Sequence, residues 1–185
     1  VSQRLQQGLS DPLFQLLSDH PESQYDLLEF RHALEGISVY YAALRGTETD
    51  VARIRDKFDA ILNPAIIGDI VLEAKAVIEF YLALVEASHN VVLLHLVRGM
   101  ASLLEQNVLE NLKVINSHSK DVSQINKQLL QHRTNLFNAV IGGDPEGART
   151  ASNEHLAFIE ETLLQADREN TRIERALRRI QQKGK

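Results

Sequence analysis

Apolar residues recur every three or four positions along most of the chain, with no stretch of strict alternation. The breaks between these segments carry glycine, proline, asparagine or aspartate. Leu27, Phe30, Leu34, Ile37 and Tyr41 fall on one side of a helix expected from about Glu22 to Arg45, with Glu29, His32 and Gly36 turned away and Gly46 closing it. Thr47 and Thr49 are cap candidates for a second helix to about Leu62, and Asn63-Pro64 through Gly68 is a break. A third helix is expected from Asp69 to Ser88. A fourth, capped by Asn90, runs from Val91 to about Val114, followed by a polar loop from Asn116 to Asp121. The fifth helix stops at Gly142-Gly143 after Ile141, and Asp144-Pro145 opens a last helix reaching about Ile180. Upstream, Asp11-Pro12 starts a short connector helix that ends before His20-Pro21. The fold class is all-α, an antiparallel bundle of six to seven helices. Residues 1–21 form a linker and connector, and residues 22–185 form the helical domain.

A few polar side chains fall where the periodicity places the core. Arg133 lies amid Leu129, Leu136, Phe137 and Val140, and His155 shares a face with Ala148, Ala151, Phe158 and Ile159. Asn107 and Asn111, one turn apart, sit alongside Met100 and Leu104, and Tyr81 follows Val77 and Ala74. Arg31 and Glu35 stand at the edge of the first long helix's apolar stripe, four residues apart and able to pair. Each has a plain structural reading: a bonded core histidine, a satisfied tyrosine, amides on backbone or water, a helix-surface pair. For Arg133 that reading is an ion pair with Glu35 or Glu110. A guanidinium removed from water costs several kcal/mol unless an anion and acceptors replace the solvent, so Arg133 requires a carboxylate partner. Turned into one bundle, Arg31, Tyr81, Asn107, Asn111, Arg133 and His155 describe a small, polar, anion-accepting cavity and are the candidate binding residues.

Composition narrows the chemistry. The 185 residues, 44% hydrophobic and 24% charged, suit one globular domain. Without cysteine there is no disulfide framework, thiolate metal site or cysteine nucleophile. Nothing asks for secretion, and a cytoplasmic location is expected. Twenty basic against 25 acidic residues leave a net charge of −5, which gives the domain no general attraction for nucleic acid. The basic tail from Arg168, with Arg172, Arg175, Arg178, Arg179, Lys183 and Lys185, reads as a solvated helix end suited to the negative end of the dipole rather than as a DNA contact. Val91 to Val97 is far shorter than the roughly 20 residues a membrane span needs, so no membrane partner is expected. Of the Glu-x-x-His pairs that di-metal bundles use, only Glu86-Ala-Ser-His89 is present. There is no Ser/His/Asp arrangement, Gly-rich phosphate loop or zinc-protease motif, so neither an enzyme nor a cofactor is expected. The opening VSQRLQQGLS has no leader character, and the chain is read as the downstream part of a longer protein.

Three passages resemble the effector-binding C-terminal domain, the FCD domain, of GntR-type transcription regulators of the FadR subfamily. They are Tyr25 through Glu35, with its inward arginine; Phe80 through Asn90, ending in an alanine-serine-x-asparagine cap; and His132-Arg133 through Pro145, continued by Ala148 and His155-Leu156. Within that family the run from Ser18 to Tyr25 is most similar to regulators of the pyruvate dehydrogenase complex.

The resemblance implies a DNA-reading winged helix-turn-helix domain ahead of this chain, a homodimer, and a small carboxylate effector. Many members bind a divalent metal through an aspartate, a histidine four residues on, and two further histidines. Carried over by position these are Val77, Tyr81, Arg133 and His155, of which only His155 keeps the ligand. His132 is adjacent to one position but turned about 100° away along the helix. The metal is expected to be absent, with Arg133 in its place as the cation facing the carboxylate. A guanidinium grips a carboxylate through two parallel hydrogen bonds, while Tyr81, His155 and the asparagines address a neighbouring keto or hydroxyl oxygen, and pyruvate fits this description. The expected function is a repressor's sensing domain for pyruvate or a similar 2-oxo or 2-hydroxy acid. The alternatives are the same fold with a larger ligand such as an acyl-CoA, which needs a long apolar cavity, or a ligand-free dimerisation bundle.

Overall fold

The computed structural model describes residues 12, 13, 15, 16, 19, 23–118 and 121–183, with side chains for these except 24, 118 and 173–183. Six helices follow one another among the described residues: α1 (Ser23–Arg45), α2 (Glu48–Ile61), α3 (Ile70–Ala87), α4 (Val91–His118), α5 (Val122–Ile141) and α6 (Pro145–Lys183). The linker up to Asp11 lies outside the described residues, and Pro12, Leu13, Gln15, Leu16 and Asp19 of the expected connector are helical.

The punctuation acts as its chemistry requires. Thr47 caps α2 in a reciprocal box with Asp50, and Asp69 caps α3 by accepting from the amides of Val71 and Leu72. Asn90 accepts from Leu93 N at 3.1 Å, and Asp121 from Gln124 N at 3.0 Å. At the end of α5 the chain reverses through Gly143 at φ 68°, and its amide and that of Asp144 return to Val140 and Ala139 carbonyls. One boundary differs from expectation. The polar run Asn116 to His118 continues α4 for another turn instead of opening the loop. Ile115 is 1% exposed, so packing of the last turn overrides the poor helix propensity of Asn116 and Ser117.

Helix α1 runs chiefly against α6 and also packs on α3, while α5 pairs with α6 and α3 with α4. Three apolar clusters result. One gathers Val39, Phe58, Phe80, Leu136 and Ala148, with Phe58 and Phe137 stacked at 4.3 Å. The second lies between α3 and α4 around Tyr81, Val97 and Leu104, and the third joins Leu28, Ile115, Leu129, Leu156 and Ile159.

The inward face of α1 follows the stripe its hydrophobic pattern predicts only at its start. Leu27, Leu28, Arg31, Glu35, Gly36, Ser38, Val39 and Ala42 are buried, whereas Phe30, Leu34 and Tyr41 are only partly buried and Ile37 is 37% exposed. The face that meets the other helices is polar in its middle third, so the apolar maximum points to one side of it.

Candidate functional site

That polar third lies where the three clusters meet. Arg31, expected as half of a helix-surface pair with Glu35, is 4% exposed, and Glu35 is 7% exposed. Its Nε donates to Glu35 Oε1 at 2.7 Å, and its Nη1 donates to Asn107 Oδ1 at 3.1 Å. Asn111 Nδ2 donates to the same amide oxygen at 3.4 Å. Asn107 of α4 thus holds Arg31, and Asn111 in turn holds Asn107.

Arg133 of α5 faces this group with no carboxylate salt bridge among the described residues, and its Nε is buried without a hydrogen-bond partner. Neither internal partner suggested by the sequence is engaged: Glu35 is bound to Arg31, and Glu110 is exposed and pairs with Lys113 at 2.8 Å. Burial, and then the charge of Arg31, lower its pKa to about 10, opposed by the more distant carboxylates of Glu73 and Glu35. It is therefore a cation at neutral pH. Two guanidiniums and one paired carboxylate leave an uncompensated positive charge inside the bundle.

Tyr81 of α3 and His155 of α6 complete the ring. The Tyr81 hydroxyl is buried and makes no hydrogen bond of good geometry, with the Ser38 hydroxyl, which donates to Leu34 O at 2.5 Å, beside it. Burial and the charge of Glu35 push its pKa up, so the phenol keeps its proton as a donor. His155 is 5% exposed with Nδ1 unpartnered. Burial, then the charges of Arg133, Arg31 and His132, hold its pKa well below the ordinary value, and the ring is neutral at pH 7.

His132, set aside in the sequence reading as turned away, is partly buried. Its ring stacks on Phe158 at 5.1 Å and lies 6.3 Å from that of His155, and its Nδ1 is also unpartnered. The 100° offset is real, but α6 comes round to meet it. Glu35 and His132 are the members that sequence reasoning missed, and the signal available for Glu35 was its spacing from Arg31.

Of these side chains Arg31, Glu35, Tyr81, Asn111, Arg133 and His155 border a cavity of two lobes, with Arg31, Val77, Arg133 and His155 on both, whereas Asn107 and His132 stand behind the lining. The lobe with Glu35 and Tyr81 offers about 30 Å³ to the centres of water-sized spheres, and the lobe with Asn111 and Leu129 about 20 Å³. One water needs about 10–15 Å³ on that measure, so together they hold a molecule of a few heavy atoms. A long acyl chain has no room.

The metal set of the resembled family does not fit here. Val77 offers no donor atom, Arg133 repels a cation, and Tyr81 is a protonated phenol. Among the described residues no three His, Asp or Glu side chains cluster closely enough to hold an ion. Glu86 and His89 serve other partners: Glu86 binds Arg53 and Arg98, and His89 pairs with Asp50 at 2.8 Å.

The neutral His155 sets a pH dependence. Below its ordinary value of about 6.5 the unfolded chain takes up a proton that the native ring refuses, so stability falls as pH drops from 6.5 toward the depressed native value and levels off above it. The slope contributed by this group approaches about 1.4 kcal/mol per pH unit. Partial burial would raise the Asp50 carboxyl, but hydrogen bonds from Thr47 and contact with His89 hold it below its ordinary value, so it acts only in a more acid range. Urea unfolding between pH 5 and 7.5 checks this: His155→Gln is expected to flatten the profile, and an equally steep profile in the variant counts against it.

The all-α bundle thus carries a small cavity lined by two guanidiniums. The chain belongs to the FCD domain family, whose sequence pattern matches residues 26–158. It is 33% identical over 177 residues to a protein of Escherichia coli (strain K12) named as a regulator of the L-lactate dehydrogenase operon, covering 94% of this chain and 64% of that protein. It is 29% identical over 159 residues to the Glc operon transcriptional activator of the same strain, covering 83% and 60%. With the HTH-type transcriptional regulator LutR of Bacillus subtilis (strain 168) it shares 33% identity over 155 residues, covering 84% and 68%. The chain thus spans less than two thirds of the first two of these relatives. No helix among the described residues is long and apolar enough to cross a membrane.

Proposed function

We propose that the chain is the effector-sensing domain of a dimeric DNA-binding transcription repressor. In this reading it holds pyruvate, L-lactate or a similar small 2-oxo or 2-hydroxy acid through Arg133 and Arg31, without a metal and without catalysis. The observation that carries this is the surplus guanidinium: Arg133 is partly buried, cationic and without a salt bridge among the described residues, its Nε buried and unpartnered, beside an Arg31 that is bonded to Glu35. A small acid supplies the missing negative charge. Tyr81, as a donor, addresses the oxygen on the adjacent carbon, with His155 between the two lobes, while Asn107 acts through Arg31 and Asn111 borders the other lobe.

Names of the relatives point the same way, since two of them concern operons of L-lactate dehydrogenase and Glc. Lactate and pyruvate are the reduced and oxidised forms of one three-carbon skeleton. DNA would be read by a domain preceding residue 1, with the segment 1–21 as the link. Effector binding then biases the bundle by the 1–3 kcal/mol usual for allosteric coupling, about 5–150-fold in operator affinity, and relieves repression.

Thermal unfolding in the presence of a chelator tests the reading. A ligand at 100 times its dissociation constant stabilises by about 2.7 kcal/mol, roughly 5–11 °C for a domain of this size. That rise is expected with pyruvate or L-lactate and not with a long-chain acyl-CoA. No shift with either acid, or a shift that needs added zinc or manganese, overturns it.

A further inference from the structure

We infer that the two lobes divide a bound acid between them, selecting unbranched acids whose tail is one or two carbons long. The inference rests on the reading above that Arg133 holds a carboxylate. Arg31, Val77, Arg133 and His155 border both lobes, so a carboxylate on the guanidiniums sits at the junction with one end of the molecule entering each.

The lobes differ in what they offer an incoming group. One contains the Tyr81 hydroxyl, which makes no hydrogen bond of good geometry, and the Glu35 carboxylate. An alkyl group there would strand the hydroxyl and strip water from an ionised oxygen, both costly in a buried setting. A keto or hydroxyl oxygen there gains a donor. The other lobe is walled by Val108, Leu112, Ile115, Leu129 and Ile159, and its one amide, Asn111, is turned to Asn107. Apart from Asn111 and the residues shared with the first lobe, that wall is apolar and presents no hydroxyl of its own, so it takes the alkyl end.

Its size sets the length. About 20 Å³ for sphere centres accommodates one to two water-sized groups, hence a methyl or an ethyl but not a branched or carboxylated tail. The apolar wall then distinguishes acids that the arginines alone would treat alike.

Calorimetric titration of the chain with pyruvate, 2-oxobutyrate, 2-oxovalerate, 2-oxoisovalerate and 2-oxoglutarate tests this. 2-Oxobutyrate is expected to bind about fourfold more tightly than pyruvate, the value of one buried methylene. 2-Oxovalerate, 2-oxoisovalerate and 2-oxoglutarate are expected to bind at least tenfold more weakly than pyruvate. Ile159→Val and Leu129→Val, which widen the apolar lobe from two helices, are expected to raise the affinity of 2-oxovalerate relative to pyruvate several-fold. Pyruvate binding with 2-oxobutyrate tenfold weaker, or with that ratio unmoved in both variants, overturns the division of the lobes while leaving the carboxylate site standing. Failure of every acid to bind the unaltered chain overturns the site itself.

Discussion

Arg133→Met is expected to raise the melting temperature of the ligand-free chain while abolishing its response to pyruvate or L-lactate. The two effects have one cause. Arg133 has a buried Nε without a partner and no carboxylate salt bridge among the described residues, and burial with the neighbouring Arg31 already lowers its pKa to about 10. Methionine fills a similar volume among Leu129, Leu136 and Phe137 and removes the charge. Replacing buried charged groups by apolar ones of like volume stabilises by about 1–4 kcal/mol in comparable sites, roughly 2–4 °C for each kcal/mol here. Truncating one side of a buried charge pair costs about 2–5 kcal/mol of binding, so affinity for the acid is expected to fall 30-fold or more. Melting curves of both proteins, with and without acid, read the two effects together. A variant that is less stable without ligand and still responds to it counts against Arg133 as the anion holder.

Glu35→Ala runs the opposite way. Glu35 accepts from Arg31 Nε at 2.7 Å, and among the described residues no carboxylate forms a salt bridge with Arg133. Loss of Glu35 leaves Arg31 and Arg133 facing each other, and removing one partner of a buried pair costs about 3–5 kcal/mol. Added acid is expected to restore more stability to this variant than to the parent, because the anion then answers two free cations. Urea midpoints at increasing pyruvate concentration measure both. A loss below about 1 kcal/mol, or a loss that acid does not reduce, contradicts the electrostatic account.

The helices themselves were legible because their ends carry specific chemistry: Thr47, Asp69, Asn90, Asp121 and Gly143 each cap or turn the chain where periodicity stops. Asn116 to His118 were misread because propensity is local, while Ile115 is held by residues far away in sequence. Arg133 and His155 stood out for a different reason, as charged or polar side chains inside otherwise apolar stripes. Arg31 and Glu35 were harder to place, since a helix face polar enough to build a site loses the hydrophobic contrast by which an inward face is found. No sequence pattern reports that Glu35 chooses Arg31 over Arg133, or that His132 meets His155 across two helices. Those outcomes depend on how α1, α5 and α6 cross.

The fixings around the α3–α4 turn give the bundle a mechanical polarity. Glu86 grips Arg53 and Arg98, Arg45 donates to Ser88 O at 3.2 Å, and His89 is held at φ 52° with its ring on Asp50. The far end of α1 is thereby tied by Arg45 to the α3–α4 turn, which is itself held to α2 and α4. Arg31 lies 14 residues before Arg45, about 20 Å down the helix axis. Toward Ser23 the same helix is held by apolar packing instead, through Leu27 and Leu28, so the stretch around Arg31 lies between an ionic tie at one end and apolar contacts at the other. Salt weakens the first and spares the second, whereas Glu86→Gln loosens the ionic end alone.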